Sequence, residues 1–334
     1  MPRETLKLGV IGLGEFGEAY LQLINGLRDV LDIETVAIAS RSADRAADLA
    51  DRFAIPRWYD DSVAFANDPD IDVVCVVTSE PSHADPATRA LYAGKHVIVE
   101  KPIATTLADA DAMIAAAEAN GRQLLVGQIL RFAPIYQGIV ERAHAGALGE
   151  IVSIQTRRNR PAIATQRYRR THPMLETGIL DLDVMLWLTR SRVQRVTALS
   201  RTIVPGPTPD LIWAMLEFDS GAIGVLETSW LGPSDGIGAD DALHVIGSEG
   251  TARLDLSRSP AAIWTSSGYE QIDAFYAPGY GGELYGAFRD QLIAFITAIR
   301  TGLTDLVPLD EVRHGLRVAL AIIESSQSGR PVTL

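Results

Sequence analysis

Three short stretches of the chain hold residue types at spacings suited to chemistry. The first is Gly12-Leu13-Gly14-Glu15-Phe16-Gly17, with an apolar strand-like run before it and a helical pattern after it. In that setting glycines cradle a dinucleotide: Gly12 permits the tight turn, Gly14 lets the pyrophosphate approach the backbone, and Gly17 lets helix pack on strand. The free N–H groups of the helix start then face the phosphates, beside Glu15 and Phe16. The second stretch is Ser40-Arg41-Ser42, after the next strand-like run. An NAD-preferring site would place Asp or Glu there for the ribose 2′-OH. Ser40 and Ser42 can instead donate to a 2′-phosphate, with Arg41 pairing to it; a solvated Arg41 is the alternative. The expected cofactor is NAD(P), with NADP favoured. The third stretch is a pair of loops at strand ends, Thr78-Ser79-Glu80-Pro81-Ser82-His83 and Glu100-Lys101-Pro102. Pro102 keeps Lys101 extended, which directs its ammonium at the nicotinamide edge of a cleft. Thr78, His83 and Glu100 complete the expected cofactor side, with a helix-start cap the equal alternative for His83.

The elements that must position these residues are legible as pattern. Over about the first 130 residues, apolar runs at 6–11, 35–39, 73–77, 96–99 and 124–126 alternate with helical spacing at 16–27, 43–53, 86–93 and 107–119. Val/Ile-rich runs between amphipathic helices indicate βαβ units and a doubly wound parallel sheet buried on both faces. Beyond about residue 150 a helical pattern at 173–188 precedes strand-like runs at 193–203, 211–218, 222–230, 243–246, 251–256 and 261–265. Tight Gly-containing turns between them predict a mostly antiparallel sheet. Helical segments at 284–300 and 309–325 close the chain. The expected class is α/β, a nucleotide-type domain over 1–130 followed by an α+β domain over 131–334, with the C-terminal helix able to pack back on the first.

Composition narrows the function classes. The 334 residues carry 30 Lys+Arg against 42 Asp+Glu, a formal net charge of −12. So acidic a chain is poorly suited to phosphate backbones or anionic membranes. The single cysteine, Cys75 in IDVVCVVTS, excludes an internal disulfide framework or a Cys-based zinc cluster. No metal site is expected. The start, MPRETLKLGVIG, lacks signal-peptide features, and no apolar run approaches the ~20 residues of a membrane span. A cytoplasmic protein is expected, with neither nucleic acid nor membrane as partner.

Taken together, VIGLGEFG, TSEPSHADPATRALYAGKHVIVEKP, RFAPIY at 131–136, VIGSEGTARLD at 245–255 and the C-terminal AIIESSQSGRPVTL resemble the Gfo/Idh/MocA oxidoreductases over essentially the whole chain. The resemblance implies an N-terminal Rossmann domain and a C-terminal open antiparallel sheet. It also implies NAD(P)-dependent hydride transfer to or from a sugar, cyclitol or related polyol. Lys101 matches the family's catalytic-site lysine in its EKP motif.

The chain departs from the family at the helix that opens the second domain. The usual pattern, D-x-G-x-H-x-x-D, reads here Glu176-Thr177-Gly178-Ile179-Leu180-Asp181-Leu182-Asp183. Leu180 stands in place of the histidine and cannot accept a proton. Alcohol oxidation still needs a base. Lys101 is the expected proton carrier, with Glu176 orienting it or the substrate and His172 nearby. The bland alternative makes His172 a boundary residue and Glu176 a first-turn carboxylate. Arg131, Arg160, Tyr168 and Asp183 are the expected substrate side, and the arginines of 157–170 suit an anionic substituent or a solvated loop equally. Loss of the histidine also leaves open a dinucleotide-binding regulatory protein or a glycoside-cleaving enzyme. Finally, residues 211–216 are apolar on both alternating faces, which predicts a homodimer or homotetramer.

Overall fold

A computed structural model of the protein describes residues 4–163, 171–232, 240–257, 262–266, 268–271, 275–280 and 282–334. It divides into two units, Met1–Gly127 with Gly279–Leu309, and Gln128–Pro278 with Asp310–Leu334.

In the first unit, strands β1 (Leu6–Ile11), β2 (Ile33–Ala39), β3 (Arg57–Tyr59), β4 (Val73–Val76), β5 (His96–Glu100) and β6 (Leu124–Gly127) form one sheet in the order β3-β2-β1-β4-β5-β6. Every pairing is parallel. The order reverses beside β1, so the carboxyl ends of β1 and β4 flank the switch point at which doubly wound sheets bind ligands. Helices α1 (Glu15–Leu31), α2 (Ala43–Phe53), α3 (Ser62–Ala66), α4 (Ala84–Tyr92) and α5 (Leu107–Asn120) connect the strands. Their ends follow local chemistry. Ser42 accepts from Arg45 N to start α2, Thr106 accepts from Asp109 N to start α5, and Gly121 ends α5 with φ +59°. All four residues of β4 are buried, Cys75 among them, which accounts for its unbroken apolar run.

In the second unit, β7 (Ile151–Pro161), β8 (Val193–Arg201), β9 (Leu211–Phe218), β10 (Ile223–Gly232), β11 (Asp240–Gly247) and β12 (Thr251–Asp255) join the C-terminal strand Val332–Thr333. The order is β12-β11-β7-β10-β9-β8 and then the C-terminal strand, with β7–β10 the parallel pair. Helix α6 (Pro134–His144) precedes β7, and α7 (Ile179–Thr189) follows it. Nine of the eleven residues of α7 are buried, from Ile179 to Leu188. Each fully buried Leu or Ile there contributes roughly 1.5–3 kcal/mol.

Several expectations are corrected. The expected helix 173–188 opens with one π-turn, Met174–Gly178, before α7 proper. Strand β7 lacks the apolar run that would announce it, because its inward row continues from Ile154 and Thr156 into Arg158 and Arg160. Among the described residues, Ala262–Thr265 pairs with Gly268–Gln271 and stands outside the main sheet. Helix α8 (Ala287–Thr301) belongs to the first unit, and the C-terminal α9 (Leu309–Ser328) lies almost wholly within the second. Phe288 of α8 packs edge-on against Tyr20, and Gln123 Nε2 donates to Ala298 O; these contacts hold α8 on the first unit.

Candidate active site

The dinucleotide loop follows β1. Gly12 has φ +98°, and a Cβ there would lie 2.5 Å from Val77 O and Thr78 N. A Cβ on Gly17 would lie 2.0 Å from Gly12 O. Neither position admits a side chain, because the loop is pressed against both the next strand end and its own helix. Gly14 differs: a Cβ there meets nothing within 4 Å, so its face is open to an incoming group. Gly14 also supplies no side-chain cap to α1, which leaves the first-turn N–H groups to an anion. These residues fit a dinucleotide. Arg45, which the sequence did not single out, secures the loop from α2. It donates Nε to Leu13 O at 3.3 Å and pairs with Glu18, which Arg52 also contacts at 2.6 Å. Arg52 and Arg45 hold the Glu18 carboxyl below its usual range. Phe16, half exposed, rests edge-on against Phe288, while Glu15 is exposed in the first turn of α1.

At the end of β2, Ser40 Oγ accepts from Ser42 N and Ser42 Oγ from Arg45 N, which fixes the turn and leaves Arg41 exposed. The nearest acidic residue along the chain, Asp44, is already inside the first turn of α2.

The two loops after β4 and β5 are tied by a histidine. His83 is 1% exposed; Nδ1 lies 2.8 Å from Pro102 O and Nε2 3.1 Å from Thr78 O. With both ring nitrogens against backbone carbonyls, it acts by fixing these loops rather than by bonding a ligand, which corrects the expected cofactor contact. Thr78 Oγ1 donates to Ser82 O at 2.9 Å. Lys101 is half-buried directly after β5, and the Lys101–Pro102 peptide is cis. Glu100 turns inward and accepts from Tyr20 Oη at 2.8 Å and from Lys101 N at 3.3 Å.

In the second unit, the π-turn carries Glu176, half-buried, four residues before the buried Leu180. Insertions of this kind recur at functional sites. His172 Nδ1 accepts from Met174 N at 3.2 Å, and burial pushes its imidazole down to about 4. It caps the helix start, which is the boundary role weighed for it beside a place near the proton chemistry.

Beneath this turn lies a charged interior. Arg158, 1% exposed, donates Nε to Asp181 at 2.9 Å and Nη1 to Asp241 at 2.7 Å. It also reaches the hydroxyls of Tyr136 and Tyr276. Arg160 donates to both oxygens of Asp241, at 2.5 and 3.2 Å. Burial opposes ionisation of Asp241, but Arg158 and Arg160 prevail and hold it at about 2. Arg160 retains partial exposure beside this network. A second cluster corrects two expected substrate contacts. Arg131 forms a two-pronged pair with Asp183 at 2.8 Å, adds Glu311 of α9 at 2.6 Å, and lies over the Trp187 ring. Arg131 and Asp183 satisfy each other and fasten α7 internally. Tyr168 lies outside the described residues.

Residues 6–128 match the family model described as the oxidoreductase family with NAD-binding Rossmann fold, and residues 136–253 match the GFO/IDH/MocA C-terminal domain. The chain belongs to the GFO/IDH/MocA oxidoreductases. This oxidoreductase is a nicotinamide-dependent enzyme built on the two-domain plan of its family. It is 27% identical over 337 residues to the scyllo-inositol 2-dehydrogenase (NAD(+)) of Bacillus subtilis, covering 98% of this chain and 96% of that one. It is 32% identical over 237 residues to the 4-carboxy-2-hydroxymuconate-6-semialdehyde dehydrogenase of a Sphingobium species, covering 67% and 72%. The crystal structure of an aldose-aldose oxidoreductase from Caulobacter crescentus superposes with TM-score 0.81 at 25% identity, covering 99% of this chain and 100% of that one. Among the described residues no cluster of His, Cys, Asp or Glu could hold a metal, and no helix is long and apolar enough to cross a membrane.

Proposed function

We propose that the enzyme transfers hydride between the nicotinamide and a CH–OH carbon of a cyclitol, sugar or related polyol, with Lys101 carrying the hydroxyl proton. The observation that carries this reading is the convergence at one sheet edge of the glycine loop after β1 with the loops after β4 and β5. Lys101 is the ammonium of that edge. The bound nicotinamide would supply the hydride acceptor or donor. Lys101 then holds or releases the proton of the substrate oxygen. On the second unit, Glu176 offers a carboxylate suited to a polyol's hydroxyls, Leu180 puts an apolar side chain where the family pattern has a histidine, and Arg160 adds a partly exposed cation. The scyllo-inositol 2-dehydrogenase among the relatives favours a cyclitol, and all three proteins compared above are dehydrogenases or oxidoreductases by name. Nothing specific favours the regulatory or glycoside-cleaving alternative.

The finer features follow from particular residues. Arg41 with Ser40, and no carboxylate at the end of β2, favour NADP over NAD. The outward face of the second sheet exposes Leu199 of β8 and Trp213 and Met215 of β9 beside the Arg195–Glu217 ion pair, and these apolar side chains support a homodimer or homotetramer. A cytoplasmic setting accords with the lone buried cysteine. The test is formation of reduced nicotinamide from NAD⁺ and from NADP⁺ across inositol isomers and aldoses. Turnover with a polyol that falls ~10³-fold in Lys101→Met is expected. No turnover with any polyol, or full activity in Lys101→Met, overturns the reading.

A further inference from the structure

The first unit buries a polar chain that the cofactor loop does not require. It begins on α8 at Gln291, 1% exposed, whose Nε2 stands 3.5 Å from Tyr20 Oη. Tyr20 is also 1% exposed, one turn past Gly17 on α1, and its ring is held edge-on by Phe288 at 4.8 Å. Its hydroxyl donates to Glu100 Oε1 at 2.8 Å, and Glu100 Oε2 accepts from Lys101 N at 3.3 Å. On β6 the chain makes room for this carboxylate: a Cβ on Gly127 would lie 3.0 Å from Oε1 and 3.1 Å from Oε2 of Glu100.

A tyrosine is not needed there for packing alone, since phenylalanine fills the same volume. Its hydroxyl has a purpose only if Glu100 must be anchored, and a buried carboxylate is costly unless hydrogen-bonded and near a cation. We propose that Tyr20 and Glu100 are positioning residues for Lys101: the anchored carboxylate is its fixed counter-charge and sets how readily the lysine gives up its proton. The inference deepens the assignment of Lys101 as proton carrier and rests on it for its catalytic meaning.

Among the described residues these groups face Glu100 or Lys101: Lys101 itself, directly after β5, Tyr20 from α1, and His83, which feels the Lys101 charge. From β4 comes Cys75, whose thiol burial pushes up to about 12 with help from Glu100, so it stays neutral. Gln291 of α8 is uncharged and Gly127 of β6 has no side chain. Burial pushes the Glu100 carboxyl upward, and the Lys101 charge, the Tyr20 hydroxyl and the Lys101 amide pull it back. Removing the hydroxyl therefore favours the protonated acid and weakens the counter-charge. Removing the charge outright, as in Glu100→Gln, weakens it fully. Both changes should make Lys101 a weaker base.

The test reads Lys101 without a substrate. Full-length protein is acetylated by limiting acetic anhydride across a pH series, and the modified peptides are quantified by mass spectrometry. Lys7, paired with Asp70 at 3.7 Å, serves as internal reference. Glu100→Gln should lower the half-modification pH of Lys101 by ~1 unit. Tyr20→Phe should move it less, in the same direction, and the double variant no further than Glu100→Gln. Lys7 should not move. Both variants preserve side-chain shape, so folding is expected to survive, with circular dichroism as the check. Loss of thermal stability with an unmoved Lys101 profile would reduce the pair to a structural role and overturn the proposal. Lys101→Met kinetics separately decide whether Lys101 carries the proton. A shifted profile with an active Lys101→Met would leave the counter-charge intact and remove only the parent assignment.

Discussion

Around Gly12 the first unit presents backbone: glycines with no room for a Cβ, and a helix start without a side-chain cap. Around Arg158 the second unit presents side chains: two arginines and two aspartates, all but Arg160 withdrawn from water, drawn from β7, β11 and α7. The contrast concerns how each region can fail. A backbone-built site fails by steric intrusion at one residue. A charge-built interior fails when one partner leaves and the others remain buried with unmatched charge.

The largest effect is expected in the second unit. Arg158→Met takes the arginine from buried Asp181 and leaves Asp241 to Arg160 and Tyr276, and chemical denaturation should show a loss of about 3–5 kcal/mol. A loss under ~1 kcal/mol would mean that water or Arg160 replaces it, and the contrast would collapse. Next come the glycines. Gly17→Ala forces the loop off its helix and should cost roughly 1–3 kcal/mol, together with dinucleotide affinity. Gly14→Ala should leave the melting temperature almost unchanged, because a Cβ there meets nothing, yet weaken dinucleotide binding at least tenfold by titration if the phosphates approach that open face. If Gly14→Ala binds normally, the phosphates do not use that face.

These regions were unequally legible for the same reason. The glycine loop announces itself because the constraint acts within six consecutive residues. The half-buried position of Lys101 after β5 was legible because a proline and a buried strand bracket it. Strand β7 was missed since its inward positions are arginines, and an inward arginine becomes sensible only once Asp181 and Asp241, 23 and 83 residues away from Arg158, are known to meet it. Arg131 and Asp183 were visible as polar residues, but their spacing of 52 hid that they neutralise each other. Tyr20 read as one more apolar position on α1, and nothing local marked its hydroxyl as bound to Glu100. For His172, helical spacing suggested chemistry where a two-residue backbone contact supplies a cap.

Two smaller effects sharpen the contrast. His314 of α9 accepts from Val193 N at 3.0 Å, and burial lowers its imidazole from 6.5 to about 4. The folded state holds it neutral while the unfolded chain takes up a proton below about 6.5. Stability should therefore fall as pH drops from about 6.5 to about 4, by roughly 1–3 kcal/mol from this residue. Urea titrations across that window should show a shallower slope in His314→Gln; equal slopes would assign the acid sensitivity elsewhere. Smallest of all, Arg41→Glu should shift the NADP-to-NAD ratio of kcat/KM toward NAD by about tenfold, near 1.4 kcal/mol, with stability untouched. An unchanged ratio would make Arg41 a solvated loop residue.

The return of residues 279–309 to the first unit has a consequence for synthesis. A ribosome releases the glycine loop and all six parallel strands early, yet Phe288, Gln291 and Arg300, which close over Tyr20 and cap the end of α1 at Leu31 and Asp32, emerge only after most of the second unit. The nascent dinucleotide unit must wait with an apolar flank uncovered. Its maturation is thus scheduled by the completion of the chain, and a product truncated before α8 would be recognisable to chaperones and proteases as unfinished.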